Sequence, residues 1–211
     1  MRPIFRSRLY AIADAAGRSM LGHRELARLL LDAGAPLLQL RIKDAATATM
    51  VELARDLRQM TAAVGAMFIV NDRADVAKLV GADGVHLGQD DLPVAAARQL
   101  LGSQAIIGLS THNQAQVMAA QSSGADYLGF GPIFATTTKA NPDAVQGTES
   151  LRQACRISRL PVVAIGGIRA DTAAEVLAAG AAAVAIIGDL VGAADPAARA
   201  RALMAACDNP P

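Results

Sequence analysis

The chain has no tryptophan, only two cysteines, and aromatic residues at just 3%. Few rings leave no platform on which successive bases could stack. Lys+Arg 20 against Asp+Glu 19 gives a net charge of +1, with no basic excess to neutralise a run of phosphates. Nucleic acid is therefore not expected as a partner. Cys155 and Cys207 stand alone, without CxxC or metal-ligand spacing, so neither a disulfide framework nor a zinc site has support. A reducing, cytoplasmic setting follows. Long hydrophobic runs are missing too. The apolar stretch behind the first arginines is interrupted by Asp14 and falls short of a leader's core. The stretch 176–194 is mostly Ala and Gly and contains Asp189, which would be costly in lipid. Two soluble elements and a turn explain it better, and no membrane is expected as a partner.

What is present is a chain of 211 residues, 53% hydrophobic and almost neutral, which can bury enough surface to offset the entropy of ordering. That length suits one domain over 1–211. Short apolar β-rich runs recur, each followed by an amphipathic segment. The strand candidates are Leu9–Ile12, Leu37–Arg41, Met67–Val70, Gly84–Leu87, Ile106–Leu109, Tyr127–Phe130, Val162–Ile165 and Ala183–Ile187. Helices are predicted over Arg24–Ala33, Thr49–Val64, Ala74–Val80, Pro93–Leu101, Asn113–Ser123, Glu149–Ser158, Thr172–Ala179 and Pro196–Ala206. Gly-Ala pairs at 34–35, 81–82, 124–125 and 180–181 suit left-handed caps before the next strand, and Asp171 and Asp195 are placed as N-caps. Eight βα units make an α/β fold, a single-domain (β/α)8 TIM barrel. A doubly wound open sheet is the alternative, without support from a Gly-rich dinucleotide fingerprint after the first strand.

In such a barrel the C-terminal strand ends carry function, and here they are polar. Alternation puts Gln39, Arg41 and Lys43 on one side of the second strand's end, two cations and an amide suited to a phosphate-rich ligand or, more blandly, to solvent. Asn71 and Asp72 follow the third strand, His86 and Asp91 the fourth. Carboxylates at neighbouring strand ends can share Mg²⁺, although Asp72 and Asp91 could each instead cap a helix. His86 reads equally as a packed barrel residue or a ligand contact. Ser110 can donate to a phosphate, Thr111 or Asn113 can cap the fifth helix, and His112 reads as a surface residue at a helix start or as an acid/base group.

The long segment after the sixth strand carries Thr136, Thr137, Thr138 and Lys139, an anion clamp or else a Thr-rich linker. Gly166 and Gly167 after the seventh strand, and Gly188 after Ile187, let backbone N–H groups approach a phosphate, unless they serve packing. The physics alone gives a phosphate cradle at strands seven and eight and a second, metal-assisted anion site at strands two to five.

Over nearly its whole length the chain resembles the thiamine-phosphate synthase family. The resemblance rests on QLRIKD at 39–44, NDR at 71–73, ADGVHLGQDDLP at 82–93, GLSTHN at 108–113, GADYLGFGPIFATTTK at 124–139 and PVVAIGGI at 161–168. It implies a transferase that joins 4-amino-2-methyl-5-hydroxymethylpyrimidine diphosphate to 4-methyl-5-(2-phosphoethyl)thiazole, giving thiamine phosphate and diphosphate. Asp72 and Asp91 would bind Mg²⁺. Gln39, Arg41, Lys43, Asn71, Ser110 and Lys139 would hold the pyrimidine diphosphate, with Arg41, Lys43 and Lys139 as catalytic cations. Thr136, Thr137 and Thr138 would contact the thiazole phosphate, with Gly167, Ile187 and Gly188 contributing backbone.

The chain departs from the family at Ile42, where Glu is usual, at Ala135, where Pro commonly stands, and at Gly188, where Ser is frequent. The last removes a hydroxyl from the thiazole phosphate site. Two rival readings are a thiazole tautomerase of the same barrel, using His112, and a non-catalytic phosphate-ligand binding protein. A homodimer is common in the family, though no residue here fixes an interface.

Overall fold

A computed structural model describes residues 5, 7–15, 21–136 and 143–208. Strands and helices alternate as β1 (Leu9–Ala13), α1 (His23–Asp32), β2 (Leu37–Leu40), α2 (Thr47–Ala63), β3 (Met67–Asn71), α3 (Ala74–Val80), β4 (Gly84–Leu87), α4 (Val94–Leu101), β5 (Ile106–Thr111), α5 (Gln114–Ala120), β6 (Tyr127–Phe130), α6 (Gly147–Ile157), β7 (Val162–Ile165), α7 (Ala170–Ala178), β8 (Ala183–Ile186), α8 (Gly188–Val191) and α9 (Pro196–Asp208). The strands close into a parallel barrel in sequence order, and pairing of Tyr10 with Ala185 joins β8 back to β1. Closure removes the open-sheet alternative.

The helices bury one stripe each. On α1 it is Leu26, Ala27, Leu30 and Leu31, and on α2 Met50, Leu53, Ala54, Leu57 and Thr61, the spacing that keeps one face of a helix on the barrel wall. A smaller core of Tyr10, Ile12, Leu37, Ile69, Tyr127 and Val163 fills the barrel's interior. Gly34, Gly81, Gly124 and Gly180 have φ of 95°, 64°, 85° and 108°, the left-handed turn from helix to strand that the Gly-Ala pairs foretold. Asn113 caps α5 by accepting the Gln116 N–H at 2.9 Å, and Asp195 accepts the Ala198 N–H at 2.9 Å.

Several expectations need correction. Asp171 lies inside the first turn of α7, where it pairs with Arg169; the N-cap is Arg169, because the Thr172 hydroxyl reaches back to its N–H at 3.0 Å. Ile187 falls outside β8, since the chain turns there into the one-turn α8. The stretch 176–194 resolves into the end of α7, then β8 and α8. Among the described residues no helix is long and apolar enough to cross a membrane.

At the barrel's N-terminal end, Asp83 and Asp126 from two Gly-Ala-Asp triplets do the same work. Asp83 accepts the Phe68 N–H at 2.8 Å and Arg58 at 3.0 Å; Asp126 accepts the Ile107 N–H and Arg98, both at 2.7 Å. Each ties a helix to the start of a neighbouring strand, so these motif carboxylates are structural.

Candidate active site

A cavity of about 1270 Å³ opens at the C-terminal ends of the strands. Gln39, Arg41, Lys43, Asn71, Asp72, Asp91, Ser110, Thr136, Gly167, Ile187 and Gly188 all line it. Thr137, Thr138 and Lys139 lie outside the described residues.

The alternation read on β2 holds beyond the strand itself. Gln39 is 3% exposed on the cavity floor; Arg41 and Lys43 continue the same side upward. Arg41 pairs through Nη1 with Asp14, which is 4% exposed at the end of β1, and its backbone carbonyl lies 3.2 Å from His23 Nε2. Asp14, a mere interruption of hydropathy in the sequence, thus anchors the guanidinium under the cavity. Lys43 Nζ pairs with Asp72 Oδ2.

Neither carboxylate caps a helix. The N-caps of α3 and α4 are Arg73 and Pro93, without side-chain cap bonds. Asp72 sits at φ 62°, a left-handed conformation uncommon outside glycine that Asp tolerates, and its N–H donates to the His86 carbonyl at 2.8 Å. Asp91 turns back to accept the Gly88 N–H at 2.6 Å. The two carboxyl groups then meet. Burial lifts the Asp91 carboxyl above its ordinary range and the charge of Asp72 adds to the lift, while the Gly88 N–H and the Lys43 ammonium act against it. A pair of acids that repel in a half-buried pocket, with open space beside them, suits a hard divalent cation as a further ligand-bound charge.

Opposite this charged wall, glycine backbone lines the cavity together with the side chains of Thr136, Asp143, Arg169, Thr172 and Asp189. Gly166 and Gly167 adopt φ of 99° and 66°. A Cβ on Gly167 would stand 2.5 Å from the Ala135 carbonyl oxygen, and one on Gly166 would stand 2.5 Å from Pro132 Cβ. Only glycine lets the loop after β7 lie against the loop after β6, which the Phe134 N–H secures by donating to the Gly166 carbonyl at 3.0 Å. Packing and open backbone are therefore both built into this pair.

His112 does face the cavity, with Nδ1 2.8 Å from the Gly131 carbonyl oxygen and 3.5 Å from Asp143 Oδ2. His86 is a packed residue that also lines the floor; Nδ1 is 2.9 Å from Tyr127 Oη and Nε2 is 2.9 Å from Ser110 Oγ. Burial brings its pKa down from 6.5 to about 4, against the pull of the Asp72 charge, so the ring is neutral. Tyr10 and Tyr127 complete the floor. Sequence reasoning missed both, although they are the chain's two tyrosines and each stands on a strand.

A sequence model of the family described as thiamine monophosphate synthase matches residues 9–190, from the first strand of the barrel to the turn after the last. The chain belongs to this family. It is 46% identical over 198 residues to the thiamine-phosphate synthase of Chloroflexus aurantiacus, covering 94% of this chain and 91% of that protein. It is 48% identical over 179 residues to the thiamine-phosphate synthase of Moorella thermoacetica, covering 85% of each. Among solved structures, the thiamine phosphate pyrophosphorylase of Pyrococcus furiosus superposes with a TM-score of 0.84 at 40% identity, over 93% of each chain. Family and barrel thus agree on one architecture, with the polar cavity at its C-terminal end.

Proposed function

We propose that the chain is a Mg²⁺-dependent transferase that condenses 4-amino-2-methyl-5-hydroxymethylpyrimidine diphosphate with 4-methyl-5-(2-phosphoethyl)thiazole to thiamine phosphate and diphosphate. The observation that carries the reading is the meeting of Asp72 and Asp91 beside Lys43, in a cavity that Arg41 also lines and whose other end includes the glycine backbone of Gly166, Gly167 and Gly188. Asp72 and Asp91 would hold Mg²⁺, which when bound supplies positive charge beside the diphosphate oxygens.

Arg41 and Lys43 present fixed cations toward the departing diphosphate, and Lys139 adds a third in the family's pattern. The C–O bond from the pyrimidine methylene breaks, and its electron pair leaves with diphosphate, where charge-assisted hydrogen bonds are strongest. Asp14 holds Arg41 in place, which limits the reorganisation needed at that moment. Gln39, Asn71 and Ser110 orient the pyrimidine diphosphate. Thr136, Thr137, Thr138 and the backbone of Gly167, Ile187 and Gly188 hold the thiazole by its phosphate, so that its ring nitrogen closes the new C–N bond. A dissociative course, with the aminopyrimidine stabilising the methylene cation, follows the family. No nucleophilic side chain takes part. The setting is cytoplasmic, the partners are the small phosphorylated substrates, and a homodimer is a further assembly open to the chain.

The test is to incubate the purified chain with both substrates, with and without Mg²⁺, and to quantify thiamine phosphate and diphosphate by chromatography. Equimolar, Mg²⁺-dependent products are expected. Isomerisation of a thiazole carboxylate phosphate would instead select the tautomerase and make His112, already on the cavity wall beside Asp143, its acid/base residue. Ligands bound and recovered unchanged would select a binding protein.

A further inference from the structure

The reaction leaves Tyr10, Tyr127 and His86 without a part, although all three line the cavity. Tyr10 and Tyr127 are each 1% exposed, and their phenolic oxygens are 2.8 Å apart. Gln39 Nε2–H donates to Tyr10 Oη at 2.9 Å. Beyond them stand His86 and Ser110, each 2.9 Å from the previous group. A single file of polar side chains therefore crosses the barrel floor from β2 through β1, β6 and β4 to β5.

The backbone makes room for it. A Cβ on Gly108 would lie 2.2 Å from Tyr127 Cζ and 2.4 Å from His86 Nδ1, and one on Gly129 would lie 3.1 Å from His86 Cε1. Glycine on these two strands is there for the file of side chains, since neither position has a left-handed φ.

Counting protons gives the file a direction. A phenol has one proton to donate. The Tyr10 oxygen already accepts from Gln39, and Tyr10 is fully buried, so its own proton goes to its other hydrogen-bonded partner, Tyr127 Oη. The Tyr127 proton then goes to His86 Nδ1. An imidazole that accepts at Nδ1 carries its proton on Nε2, and that N–H donates to Ser110 Oγ. The Ser110 proton is left facing the cavity.

We infer that Tyr10 and Tyr127 hold His86 as its Nε2–H tautomer, and that His86 acts as a positioning residue, fixing Ser110 as a hydrogen-bond donor to the diphosphate of the pyrimidine substrate. The ligand's identity rests on the function proposed above. The tautomer does not. The file explains why a histidine, two tyrosines and two glycines to which the proposed reaction gives no part are built into one floor.

The imidazole ¹⁵N spectrum of the whole protein without substrate reads the tautomer directly: a pyridine-like Nδ1 and a pyrrole-like Nε2 are expected for His86, and a proton on Nδ1 overturns the inference. A double-mutant cycle reads the coupling. Tyr127→Phe lowers kcat/KM for the pyrimidine diphosphate about ten-fold, the worth of one well-made hydrogen bond, but has little further effect in a Ser110→Ala background. An equal loss in both backgrounds marks a merely structural tyrosine and overturns the coupling. If Tyr127→Phe fails to fold, the spectrum of the unaltered protein decides alone. A chain that turns over nothing overturns the assignment of the ligand, while the spectrum, which needs no ligand, still decides the tautomer.

Discussion

On the β2–β5 side of the cavity the polar groups are side chains, Arg41, Lys43, Asp72, Asp91 and Ser110, each held by a named partner. On the β6–β8 side glycine backbone at 166, 167 and 188 lines the cavity with Thr136, Asp143 and Thr172, while Arg169 and Asp189 there are each engaged in an ion pair with a neighbour, Asp171 and Arg199. The first wall can stabilise charge that develops during a reaction, because fixed cations and a metal gain most from a leaving group as it becomes more negative. The second can hold a phosphate of constant charge through N–H groups without competing for that task. On the function proposed above, the difference teaches how the two phosphate-bearing substrates would be told apart: by the wall each meets, one chemical and one positional.

Removing a carboxylate should break the comparison most severely. Asp72→Ala takes away one of the two proposed metal ligands and the partner of Lys43, and turnover should fall by about a hundred-fold or more while circular dichroism and thermal unfolding stay near normal. Near-normal turnover would remove the charged wall from the chemistry.

Gly167→Ala attacks the other wall. The new Cβ has a φ of 66° to tolerate and a carbonyl oxygen 2.5 Å away, so the loops after β6 and β7 must part. Steady-state kinetics should show KM for the thiazole phosphate rising about ten-fold, and the unfolding midpoint should fall, with about 1–3 kcal/mol lost. An unchanged KM would show that this backbone does not meet the ligand.

Acid sharpens the contrast, because the floor under the charged wall contains the neutral His86. Its pKa is about 4 in the fold against 6.5 when unfolded, so below 6.5 the unfolded chain binds a proton that the folded chain does not. The stability from this group is complete above 6.5 and is lost as pH falls toward 4, on the order of 3 kcal/mol in denaturant titrations. His86→Gln should flatten that part of the profile; an unaltered slope would assign it to other groups.

The smallest change adds a side chain to the backbone wall. Gly188→Ser supplies the hydroxyl frequent in the family, and KM for the thiazole phosphate should fall by about three-fold, with the pyrimidine diphosphate untouched.

Much of this architecture was legible because its signals are local. Period-two alternation carried Gln39, Arg41 and Lys43 to one side, and Gly34, Gly81, Gly124 and Gly180 marked the helix-to-strand turns. The polar strand ends mark the cavity lining in the sequence itself. The misses are non-local. Asp14 and Arg41 meet from different strands, as do Tyr10 and Tyr127, at separations of 27 and 117 residues, and no periodicity connects them. The left-handed Asp72 escaped for another reason: nothing in Asn-Asp-Arg distinguishes a turn into the cavity from a helix cap until β3 and β4 are paired. Asp171 failed as a cap because α7 starts earlier, at Ala170, with the Thr172 hydroxyl accepting the Arg169 N–H.

The division of the cavity is tested most directly by calorimetric binding of each substrate, in the presence of Mg²⁺, to Asp72→Ala and to Gly167→Ala. The account predicts crossed losses: Asp72→Ala weakens the pyrimidine diphosphate and leaves the thiazole phosphate bound as before, and Gly167→Ala does the reverse. Both ligands weakened equally by both substitutions would contradict it and make the cavity one undivided anion site.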